Sequence, residues 1–172
     1  MKNINTREIT LLAVLTAILF VQELVLSFLP NIQLTILLIM LYSRVLKTKK
    51  TLIIIFVHVL LDNLVFGFNI LFFISMIIGW SIIPLTINSI FKKVENVYLL
   101  GLLSIIYAFI YVLPFLVVNV LILKIDLYAY LIADLPFTAI LAVSSFVSII
   151  WVYNPLKEAI NRFNEKYSSI DL

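Results

Sequence analysis

From Val97 to Leu123 the sequence carries no charged residue: VYLLGLLSIIYAFIYVLPFLVVNVLIL. A helix on the surface of a soluble protein needs a polar face opposite its apolar stripe. This run has none, and similar runs recur along the chain. With 64% hydrophobic and only 12% charged residues, the chain has too little polar surface to cover a water-exposed globule. The solvent this sequence anticipates is lipid.

Hydrocarbon admits helices or closed barrels, because unpaired backbone groups are too costly there. Barrel strands would alternate over short segments. These long continuous runs predict helices instead. Six spans are expected: Ile9 to Phe28, Ile32 to Leu46, Leu52 to Phe66, Ile70 to Phe91, Val97 to Leu123 and Tyr128 to Val152. The second and third are short for an isolated span of about twenty residues, which implies tilt or burial inside a bundle. No cleavable leader is evident, so the first run reads as a retained span.

Charge sets the expected orientation. Lys2, Arg7, Arg44, Lys47, Lys49, Lys50, Lys92, Lys93, Lys157, Arg162 and Lys166 fall at the N-terminus, the second and fourth turns, and the C-terminus. Six spans put all of these on one side and leave only Lys124 on the other. By the positive-inside rule both termini are then cytoplasmic. The net charge of +3 therefore needs no nucleic-acid partner. In the tail, Leu156, Ile160, Phe163 and Tyr167 recur at helical spacing. They predict a short amphipathic helix over about 155–167 on the inner surface. The expected fold class is an all-α integral membrane protein: one compact six-helix bundle spanning 1–172, in the plasma membrane.

Catalytic signatures are missing. One histidine and no cysteine leave no tetrahedral metal set. There is no GxSxG, P-loop or HExxH, so the chain reads as a non-enzyme with neither metal nor cofactor.

Polar residues within spans are costly and mark function by default. The candidates fall toward the outer side: Gln22, Glu23, Asn31, Gln33, His58, Asp62, Asn63, Asn69, Trp80, Tyr111, Asn119 and Asp134. A plainer reading stands beside each. His58 and Asp62 share a helix face and can serve as interhelical glue. Glu23 and Asp134 can snorkel, and Trp80 and the tyrosines can simply pack or anchor. If a ligand binds, rings such as Trp80 and Tyr111 suit stacking. The amides of Gln22, Asn63 and Asn119 offer donors and acceptors. Ala13 and Ala17 are four apart on the first span, a spacing that permits close helix approach either within the chain or to a partner.

Three stretches carry a resemblance: TREITLLAVLTAIL, with Ala13 and Ala17; LPNIQLT; and YLIADLPFTAILAVSSFVSIIWVYNPLKEAI. Together with size and span count, the chain resembles the substrate-binding S components of energy-coupling factor (ECF) vitamin transporters. It departs from their pattern at Ser144 and Ser145, near where a Gly/Asn pair is common. The resemblance implies capture of a vitamin or related micronutrient at the outer side. It also implies docking through Ala13 and Ala17 onto a transmembrane coupling subunit, with two cytoplasmic ATPases driving release inward. The ligand is left open. A rival resemblance, over IQLTILLIMLYSRVLKTKKTLIIIFVHVLLDNL, is to the rod-shape-determining membrane scaffold of the bacterial elongation machinery.

Overall fold

The computed structural model describes residues 6–168, with side chains through Arg162. Among these the fold is all-helical. Helices α1 (Thr6–Leu26), α2 (Thr35–Phe66), α3 (Ile70–Ile87), α4 (Val97–Leu116) and α5 (Leu127–Ser168) follow in order, with a π-helical segment, Val117–Ile122, extending α4. Four of these are long and apolar enough to cross a membrane: α1, α3, α4 with its π segment, and α5 as far as Arg162.

The expected second and third spans are the two arms of α2, which meet directly at Lys47. Rather than a basic loop between separate helices, a single non-helical residue, Lys47 (φ 69°, ψ 167°), interrupts the 32-residue α2. A straight helix of that length would reach about 48 Å. Gln33, just before α2, and Phe66, its last residue, nevertheless line the same cavity of about 300 Å³. The helix therefore doubles back at Lys47. The polar groups at the fold are met by α3: Asn88 Nδ2 donates to Ser43 O (2.8 Å) and to Thr48 Oγ1 (3.1 Å), and Thr48 Oγ1 donates to Pro84 O (3.1 Å).

The first arm of α2 explains why its apolar run is short. Every residue from Thr35 to Ser43 is buried, at most 4% exposed. A helix apolar on all sides belongs in the middle of a bundle. The two ends of α2's first arm are tied down by polar residues from neighbouring segments. At its start, Gln22 of α1 accepts from Leu34 N (2.8 Å) and donates to Thr35 Oγ1 (2.9 Å). At its far end, Arg44 donates to the carbonyls of Phe91, Lys92 and Val94 (2.8–2.9 Å), gathering the α3–α4 turn. Lys50 pairs with Glu8 of α1 at 2.9 Å.

Local signals place the remaining ends. Asn69 caps α3 by accepting from Leu71 N and Phe72 N, and Asn96 caps α4 by accepting from Tyr98 N and Leu99 N. Such side-chain caps satisfy amides that have no partner inside the helix. The tail departs from expectation: no separate amphipathic helix begins near 155, because α5 runs unbroken through Pro155. Leu156 and Ile160 pack against the bundle core, and that contact carries the helix onward. Phe163 and Tyr167 lie outside the described side chains.

Candidate functional site

The end of the bundle opposite the Lys47 fold is hollow. A cavity of about 510 Å³ opens there, adjoining the 300 Å³ cavity beside it through Glu23, Asn31, Gln33, Asp62 and Phe66. Clefts of about 300–1,000 Å³ are the ordinary size for small-molecule sites.

Helical periodicity explains the lining. On α4 and its π extension, Tyr111, Phe115 and Asn119 recur every fourth residue. On α5, Tyr130, Asp134 and Thr138 follow the same rule, with Leu141 three residues further on the same face, and on α2 so do Asp62 and Phe66. The turn between α2 and α3 brings Gly67 and Asn69 to the rim, with Phe72 and Met76 below on α3. Gly67 has φ 110°, backbone that other residues adopt only with strain.

Nine of the twelve sequence candidates meet here: Glu23, Asn31, Gln33, Asp62, Asn63, Asn69, Tyr111, Asn119 and Asp134. The other three stand outside the lining. Gln22 is occupied in tying α1 to α2. Trp80 is 1% exposed and stacks on Tyr111, with centroids 3.8 Å apart and rings 20° from parallel. The ring facing the cavity is thus Tyr111, with Trp80 behind it. His58 is fully buried, with its Nε2 at 3.2 Å from Glu23 Oε2. That is an ion-pair distance, although the angles are not those of a hydrogen bond, since both atoms lack a hydrogen-bond partner. His58 and Asp62 share a face, yet neither hydrogen-bonds the other.

Sequence reasoning passed over Phe66, Phe72, Met76, Phe115, Tyr130 and Thr138. The fourfold spacing from Tyr111 and from Asp134 was the signal that pointed to three of them. Phe72 and Phe115 stack at 6.0 Å, and Tyr111 leans on Phe115 at 5.2 Å. One wall is therefore aromatic.

Several polar groups are already committed. Asn63 Nδ2 donates to Val59 O (2.9 Å), Asn119 Nδ2 to Phe115 O (2.8 Å), and Thr138 Oγ1 to Asp134 Oδ2 (2.6 Å). Asp62 is different: it is 7% exposed and its Oδ1 has no hydrogen-bond partner. No group of three His, Cys, Asp or Glu among the described residues is arranged to hold a metal.

On α1, Ala13 and Ala17 are exposed, beside Val14 and Ile18 at 51% and 46%. The small-residue pair faces outward from the bundle, while Leu15, Thr16 and Leu19 face in.

These features define a class: an apolar helical bundle suited to a membrane, with a cavity of small-molecule size at one end. No family model, curated protein or solved structure matches the chain.

Proposed function

We propose that the protein is the substrate-binding membrane subunit of an ECF-type transporter, taking a vitamin or related micronutrient from outside the cell. The observation that carries this reading is the polarity of the bundle. One end holds a small-molecule cavity lined by acids, amides and aromatic rings. The other holds Arg44 and Lys50 beside the Lys47 fold. Under the positive-inside rule the basic end is cytoplasmic and the cavity faces out. α1, the two arms of α2, α3, α4 and α5 then make six passes, with both termini inside, in the plasma membrane.

The outward-facing Ala13 and Ala17 offer the close-approach surface that a coupling subunit needs. ATP hydrolysis is assigned to two cytoplasmic partners. The rival reading, a cell-wall elongation scaffold, assigns no role to the cavity.

The test is direct. The purified protein should carry a small molecule detectable by mass spectrometry, or bind one from a vitamin panel by calorimetry. A protein that retains none and binds none is not a binding subunit.

A further inference from the structure

We infer that the cavity is built for an organic cation: a small molecule bearing a protonated or quaternary nitrogen on or beside an aromatic ring. This deepens the binding-subunit reading and rests on it.

Three carboxylates from three helices line one cavity: Glu23 of α1, Asp62 of α2 and Asp134 of α5. Among the described residues no lysine, arginine or histidine lines it. The other titratable groups on its wall are the phenols of Tyr111 and Tyr130, and α3 contributes none. The one basic group close behind the wall is His58, whose contact is with Glu23. It can neutralise one acid at most. Thr138 gives Asp134 a hydrogen bond without any charge.

Asp62 is the group that points to a ligand. It is more than nine-tenths buried, it lines the cavity, and its Oδ1 has no partner. A buried carboxylate is costly unless paired and hydrogen-bonded. Among the described residues Asp62 has no ion pair, and the imidazole of His58 one turn away contacts Glu23 instead, so a ligand that brings a cation offsets that cost.

Among the described residues the acids do not form a three-ligand metal set, and a cavity of about 510 Å³ has room for a ring system. The wall of Tyr111 and Phe115 adds the second half of the chemistry, since aromatic faces attract cationic nitrogen within about 6 Å. An anionic ligand would meet the carboxylates of Asp62 and Asp134 with no basic group on the wall to offset them.

The test uses the full chain in lipid nanodiscs, titrated with probes of differing charge. Thiamine and 1-methylnicotinamide carry a permanent aromatic cation, riboflavin and nicotinamide are uncharged, and pantothenate and nicotinate are anions. At least one cation should bind about tenfold or more tightly than any uncharged or anionic probe. Asp62→Asn should weaken that cation by about tenfold, with an unchanged melting temperature. Should Asp62→Asn fail to fold, Asp134→Asn serves as the second variant with the same expectation. Tighter binding of an uncharged or anionic probe would overturn the cation inference and leave the binding-subunit reading intact. Binding of no probe would overturn both. Equal affinity for all charge classes, or a cation affinity unmoved in a folded Asp62→Asn protein, would overturn the inference alone.

Discussion

The imidazole of His58, fully buried on the second arm of α2, reaches Glu23 of α1 with Nε2 and Oε2 3.2 Å apart. The His58 and Phe20 rings also meet edge to face, with centroids 6.4 Å apart and planes at 65°. The chain's one histidine thus joins two helices just behind the cavity wall. His58→Ala is expected to destabilise the protein by about 1–3 kcal/mol, because Glu23 loses its contact. The check is thermal or denaturant unfolding in detergent, combined with Glu23→Gln in a double-mutant cycle. Coupling of about 0.5 kcal/mol or more is expected. Strictly additive losses would mean that the contact contributes nothing.

Gly79 lets α3 and α4 approach. A Cβ built there would stand 2.7 Å from Tyr111 Cδ2 and 3.1 Å from its carbonyl oxygen. Gly79→Ala is expected to push Tyr111 off Trp80, with an overpacking cost of about 1–3 kcal/mol. Trp80 fluorescence, read in a Trp151→Phe background, should change along with the melting temperature. Unaltered emission would mean that the stack tolerates the methyl group.

Arg44 holds three carbonyls of the α3–α4 turn. Only a planar, many-donor fork can reach all of them together. Arg44→Lys should therefore rescue little of the loss seen in Arg44→Ala, which is put at about 1.5–3 kcal/mol. Hydrogen exchange across residues 88–96 should rise in both variants. A lysine variant as protected as the parent would show that charge alone suffices.

Ala13 and Ala17 face away from the bundle. A tryptophan at either position meets no packed neighbour within the chain, so folding and ligand binding should survive. Uptake by cells should be lost, because the bulky ring blocks close approach of another helix. If Ala13→Trp and Ala17→Trp cells take up ligand as before, docking occurs elsewhere.

Much of the helical frame was legible without coordinates. The apolar runs and their basic and polar interruptions located every helix start after the first to within a few residues, because lipid-compatible backbone must be helical. The caps at Asn69 and Asn96 went unread, although asparagine just before an apolar run is a signal for a helix start. The break expected after Leu46 is there, at Lys47, but it is shorter than a loop: one residue of left-handed backbone suffices when Asn88 and Thr48 meet the surrounding polar groups. The spacing of Leu156, Ile160, Phe163 and Tyr167 suggested a separate surface helix, yet α5 continues through Pro155, with Leu156 and Ile160 packed against the core.

The site divides along the same line. Sequence alone determined that polar residues gather toward one end of the apolar helices, and that the small pair on α1 shares a face. A helical repeat specifies which residues sit together on one helix. It does not specify which way that face turns relative to the neighbouring helices. Only tertiary packing decided that Asp62 lines the cavity while His58, four residues earlier, is turned to Glu23. Packing likewise put Tyr111 on the wall with Trp80 behind it, and made the first arm of α2 the centre of the bundle. The physical reason is that each helix rotates until its bulk is buried and its costly polar groups find partners, and those partners lie on other helices.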